Sequence, residues 1–102
     1  MTGRFARRDM PSARERYQEG LLNGVVCKIQ KIVDYRRAHM IVPERATWRA
    51  LRDSLTEEEF EKLRQLVEVG IVKEFRGINY PSYEIDYDAL NRYRDDIRRL
   101  LG

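Results

Sequence analysis

The stretch Ala46–Ile85, ATWRALRDSLTEEEFEKLRQLVEVGIVKEFRGINYPSYEI, decides the fold. Trp48, Leu51 and Leu55 mark one face of a short helix. Thr56 opens a second helix with Phe60, Leu63, Leu66 and Val67 on its apolar side. Thr56-Glu57-Glu58-Glu59 is a capping box: the threonine hydroxyl accepts from the backbone and Glu59 reaches back. The three glutamates also suit the positive end of the helix. Gly70 fits the left-handed position after the last helical residue, with Ile71 touching Leu66 across a Schellman turn. Ile71–Phe75 and Tyr83–Ile85 then read as two strands around the tip Arg76–Ser82, a turn confined by Gly77 and Pro81.

Upstream, Pro43-Glu44-Arg45 suits the first turn of the short helix, which runs to about Ser54. His39–Val42 is a short β-prone run, and the helix before it must stop ahead of Val42, because a residue preceding proline avoids helical geometry. Tyr17, Leu21, Leu22, Val25, Ile29, Ile32 and Val33 recur at helical spacing, which predicts one long helix from about Ala13 to Arg37 with Ser12 as its cap. The alternative is a helix that begins near Gly20 with frayed earlier turns. Gly20 and Gly24 weaken this helix by about 1 kcal/mol each relative to alanine. They lie one turn apart on the same side, where a neighbouring helix could approach closely. Downstream, Asp86 or Asp88 caps a final helix carrying Leu90, Tyr93, Ile97, Leu100 and Leu101 on one face. Residues 1–12 show no apolar period and read as a flexible basic arm, leaving 13–102 as a single domain.

A helix pair followed directly by a hairpin resembles the winged-helix form of the helix-turn-helix, here over about Tyr17 to Ile85. The resemblance implies an α+β, mainly α fold with a C-terminal β-hairpin wing, extended in this chain by an additional C-terminal helix. It also implies a short strand near His39–Val42 that pairs with the hairpin, and nucleic-acid binding as the commonest role.

Composition sets the outer limits. Of 102 residues, 42% are apolar and 36% charged, which is a globular composition with room for one core. No apolar run approaches the roughly 20 residues that span a bilayer, and no secretory signal is present, so no membrane partner is expected. The single cysteine, Cys27, excludes an internal disulfide and suits an intracellular location, cytoplasmic for a bacterial or phage protein. Without cysteine pairs or a second histidine no metal site is expected, and no cofactor either. No catalytic constellation appears. His39 stands alone beside Met40 and Ile41, Cys27 reads as a small buried hydrophobe, the glutamates at 57–59 are explained by capping, and Gly77 is isolated in a turn. The expectation is therefore a protein that is not an enzyme.

Charge is unevenly placed. Residues 1–52 carry twelve Lys/Arg against five Asp/Glu, a balance of +7, and residues 53–102 carry eight against twelve, a balance of −4. Such asymmetry suits either a basic face for polyanions or a solvated surface. The leading expectation is a small regulator of transcription or replication, of the kind found in phages and mobile elements, that binds double-stranded DNA. Arg4, Arg7 and Arg8, with Phe5 among them, would enter a minor groove or lie along phosphates; otherwise they form a solubilising tail. Arg45, Arg49 and Arg52, spaced by four and three, would share one helix face over the phosphate backbone, or Arg49 would simply pair with Asp53. The wing offers Arg76 and Asn79, with Lys73 on the strand behind.

The second helix of the pair argues against DNA. Its polar positions are Glu57, Glu58, Glu59, Glu61, Lys62, Arg64, Gln65 and Glu68, and carboxylates face a dense phosphate charge. Either Lys62, Arg64 and Gln65 alone meet the groove, or the contact is made by arm, arginine helix and wing. The rival expectation is a protein-interaction adaptor on the same fold, using Glu58, Glu61, Gln65 and Glu68. A homodimer through Tyr17, Leu21, Tyr93, Ile97, Leu100 and Leu101 is a further expectation.

Overall fold

The computed structural model describes residues 12–78 and 80–101, the side chains of 98–101 excepted. The basic arm with Arg4, Arg7 and Arg8, the wing residue Asn79, and the side chains of Leu100 and Leu101 lie outside the described residues. The order is α1 (Ala13–Ala38), β1 (Ala46–Thr47), α2 (Trp48–Ser54), α3 (Glu57–Glu68), β2 (Val72–Phe75), β3 (Ser82–Ile85) and α4 (Tyr87–Leu101). This is an α+β, mainly helical arrangement with one antiparallel sheet in the order β1-β3-β2.

Helix α1 starts at its cap and not at Gly20. The Ser12 hydroxyl accepts from the Glu15 amide, and the Glu15 carboxylate accepts from the Ser12 amide. Leu22, Val25, Ile29 and Val33 form the buried stripe. Cys27 falls on the opposite side and is exposed, so the expectation of a buried thiol does not hold. Leu51 and Leu55 from the α2 segment, Leu63 and Leu66 from α3, and Ile71, Val72, Tyr83 and Ile85 from the hairpin complete the core with α1. Leu90 adds α4 to it. Asp86, not Asp88, caps α4: its Oδ1 accepts from the Ala89 amide at 3.1 Å. Arg94 then donates to Asn23 on α1 at 2.9 Å. On the terminal helices Leu21 and Ile97 are half-buried, while Tyr17 and Tyr93 remain 55% and 37% exposed.

The segment before α2 differs from the expectation. Pro43–Arg45 is not a helical turn, and His39–Val42 is not a strand. The strand is Ala46–Thr47, paired with Tyr83 and Ser82 of β3. The reason is local. Ala46 is fully buried, the Trp48 amide donates to the Pro81 carbonyl at 3.0 Å, and the Thr47 hydroxyl caps α2 by accepting from the Ala50 amide. Pairing and capping together hold residues 46 and 47 extended, so the helix begins at Trp48, five positions after the Pro43 start that proline chemistry alone suggests.

Two helices end in the same device. After α3, the Ile71 amide donates to the Leu66 carbonyl (2.9 Å) and the Gly70 amide to the Val67 carbonyl (3.2 Å), with Gly70 at φ +85°. After α1, Ile41 donates to Arg36 (2.8 Å) and Met40 to Arg37 (3.2 Å), with Met40 at φ 54°. Both are Schellman turns. The first places glycine at the left-handed position, where a Cβ is costly; the second places there a methionine that is 90% exposed and packs on nothing that would offset the strain.

Helices α1 and α3 meet through one carboxylate. Glu59, only 8% exposed, accepts from the Lys28 ammonium at 2.6 Å and from the Thr56 amide at 3.0 Å. Gly24 makes this approach possible, since a Cβ there would stand 2.7 Å from Glu59 Oε2. Gly20 plays no such part, having open space where its Cβ would be. Burial alone would raise the Glu59 pKa. The hydrogen bond and charge of Lys28, with the Thr56 amide, outweigh it and hold the carboxyl below its ordinary value of 4.5.

Four stability outcomes follow from these contacts, all measurable by urea denaturation. Gly70→Val should cost more than about 1 kcal/mol, and Met40→Gly should gain up to about 1 kcal/mol. Gly24→Ala should gain less than Gly20→Ala, because a Cβ there must shift the Glu59 carboxylate that Lys28 holds and so offsets the propensity gain. Gly20→Ala should stabilise by about 1 kcal/mol through helix propensity. A pH series tests the carboxylate itself. Because its folded pKa lies below the unfolded one, its contribution is complete above pH ~4.5 and is lost as pH falls through the folded value. Glu59→Gln should therefore lower stability at neutral pH by about 1–3 kcal/mol and flatten the acid side of the stability profile.

Candidate functional site

The described cations expected to contact DNA are mostly engaged within the chain. Arg45 is not on α2. Its guanidinium lies 3.9 Å from the Phe75 ring centroid, with Nε 3.8 Å from Glu84 Oε2. It therefore braces the outer face of the sheet, and the three-arginine helix face reduces to Arg49 and Arg52. These two are exposed on α2, and the nearby Asp53 pairs with Arg52, at 3.8 Å, not with Arg49. Lys62 is turned inward and donates to Gln18 of α1 at 3.1 Å, so it does not share a surface with Arg64 and Gln65. Arg64 stands 3.6 Å from Glu61, and Gln65 is exposed. On the hairpin, Arg76 donates to Glu74 at 3.0 Å and Lys73 lies 4.0 Å from Asp86. Each exposed pair contributes little stability, about 0–1 kcal/mol, but each sets a carboxylate beside a guanidinium or ammonium group.

The carboxylates of α3 are arranged differently. Glu59 makes the expected capping box with Thr56 and is buried against α1, so it does not belong to the exposed face. Glu58, Glu61, Gln65 and Glu68, spaced by three, four and three, are all exposed and share one face. Glu57 extends that face at its N-terminal end. The sequence reading thus located the acidic ridge by periodicity alone.

A groove of about 680 Å³ runs between α3 and the β2–β3 hairpin. Trp48, Phe60, Val67 and Tyr83 line its floor, and the Trp48 and Phe60 rings meet at a centroid distance of 5.2 Å. The register Glu74↔Tyr83 places these two side chains on the same sheet face, where the Tyr83 hydroxyl donates to Glu74 Oε2 at 3.0 Å. Glu74 is thereby bracketed by Tyr83 and Arg76. Burial, and then the adjacent carboxylate, push the Tyr83 phenol up to about 12, so it stays a neutral donor in the groove.

No protein-family model, curated protein or solved structure matches this chain. Among the described residues no helix is long and apolar enough to cross a membrane.

Sequence reasoning did not find the groove. Its floor joins residues from α2, α3 and β3, and only tertiary packing brings them together. The one available signal was Trp48 itself, a large aromatic on the same short apolar face as Leu51 and Leu55. The Tyr83–Glu74 contact is open to test by NMR titration of the tyrosine ring carbons. Tyr83 should titrate at about 12. Glu74→Gln should move it down toward the ordinary value of 10 without reaching it, because the burial contribution persists.

Proposed function

We propose that this chain is a winged-helix module that binds another protein through the acidic side of α3, and that it does not act by reading DNA. Two features support the fold assignment. The order helix, strand, helix, helix, strand, strand matches the winged-helix succession, and the first strand joins the sheet beside the last, giving β1-β3-β2. Helix α4 is then an addition at the C-terminal end. On this reading α3 is the counterpart of the recognition helix and β2–β3 of the wing.

The observation that carries the function is the charge of that face. Glu57, Glu58, Glu61 and Glu68 are exposed on α3, while Lys62 faces α1, Arg64 lies beside Glu61 and Arg76 is bonded to Glu74. A duplex brought to this surface would set its phosphates against carboxylates. A phosphate that displaced Glu61 from Arg64 would still have that carboxylate within one helical turn. The same surface attracts a cationic protein segment and orients it before contact.

One observation favours DNA: Arg49 is exposed on α2 without a partner among the described residues, with Arg52 beside it. Titration of a labelled duplex of about 20 base pairs decides between the readings, since even non-specific DNA binding reaches a Kd of about 10⁻⁴–10⁻⁶ M at physiological salt. The expected result is no saturable binding in that range. Binding that weakens steeply with salt, with a slope flattened by about one unit in Arg49→Ala, would overturn the proposal. Conversely, a photo-crosslinking side chain in place of Gln65 should capture protein and no nucleic acid in the source cell.

A further inference from the structure

We infer that the groove between α3 and the β2–β3 hairpin docks a short basic peptide segment that carries an aromatic or large aliphatic side chain between its cations. The inference rests on the protein-binding reading above and narrows it to a site and a partner chemistry.

The floor supplies the apolar half of the match. Trp48, Phe60 and Val67 are half-buried, so each presents part of an apolar surface to the groove, while Tyr83 beneath them is buried. A side chain inserted there exchanges water for aromatic faces, the setting in which interface anchors contribute most.

The rim supplies the charge. Four carboxylates, of Glu57, Glu61, Glu68 and Glu74, face two guanidinium groups, of Arg64 and Arg76. The guanidinium groups are already matched, Arg64 with Glu61 and Arg76 with Glu74. Glu57 and Glu68 are left without a partner among the described residues. They stand eleven positions apart on α3, which is about three turns, so they lie on the same side and about 16 Å from each other. An extended peptide covers that distance in about five residues. The fitting ligand therefore has two cations about five positions apart with an apolar anchor between them. An acidic or phosphorylated segment would meet the unmatched carboxylates and be repelled.

The chain carries its own reporter, because its single tryptophan, Trp48, lies in the floor. The test is selection of a random dodecapeptide display library against the full chain, followed by synthesis of the enriched peptides and titration of Trp48 emission. Enriched sequences should show two basic residues flanking an aromatic or aliphatic one, and should change Trp48 emission saturably. The double variant Glu57→Lys/Glu68→Lys should weaken them at least tenfold. Glu19→Lys, on α1 outside the groove and the acidic face, should leave affinity within twofold, with circular dichroism confirming that both variants fold. No enrichment, acidic consensus sequences, or binding that leaves Trp48 emission unchanged would overturn the inference. Equal weakening by Glu19→Lys would also overturn it, because the attraction would then follow overall charge and not the groove, while the protein-binding reading stands. A concentration-dependent change in Trp48 emission without peptide would put a second copy in the groove and overturn the choice of partner. Failure of the broader reading shows separately, in the duplex titration.

Discussion

A single carboxylate, that of Glu59, holds α1 and α3 in register. It completes the capping box that starts α3, and it accepts the Lys28 ammonium from α1 at 2.6 Å. The two roles are linked by geometry. The cap fixes where the side chain points, and the space above Gly24 lets it reach Lys28 without collision. A buried carboxylate that lost this partner would keep its desolvation cost with nothing to offset it, so the pair constrains how the helices can sit. The apolar contacts of Leu22, Val25 and Ile29 stabilise the same junction.

With α3 held in this way, its remaining polar residues are sorted by face. Rotation about the helix axis buries Glu59, directs Lys62 to Gln18, and leaves Glu58, Glu61, Gln65 and Glu68 in solvent. The apolar residues Leu63 and Leu66 go into the core, while Phe60 and Val67 sit at its margin beside Trp48. The groove exists because the hairpin leaves this margin uncovered. The same sorting turns Lys62 toward α1 and buries Glu59, so the fully exposed charges of α3 are four carboxylates and the guanidinium of Arg64.

The arginines show why residue type alone is a poor guide to an interface. Arg45, Arg49 and Arg52 read as three equivalent positions on one helix face, yet they have different roles. Arg45 precedes the helix and stacks on Phe75, Arg52 lies near Asp53, and only Arg49 keeps an unmatched charge among the described residues. A two-residue strand, Ala46–Thr47, causes the difference. It depends on partners in β3 that lie far along the chain, and no local signal in Pro43–Thr47 announces it.

The sequence by itself determined the elements whose free energy is local. The cap at Ser12, the capping box at Thr56, the left-handed glycine at position 70, the two hairpin strands and the apolar periods of α1 and α3 all depend on residues within a few positions of one another. Helix ends and strand turns are legible for that reason. The tertiary structure alone decided the strand before α2, the burial of Glu59 and the pairing of Tyr83 with Glu74. Each of these joins groups from different elements, and its energy is set by distances that exist only after packing. The candidate site belongs to this second class. Its acidic ridge follows from helical spacing, but its aromatic floor and the cancelling of its arginines come from the way α2, α3 and the hairpin meet.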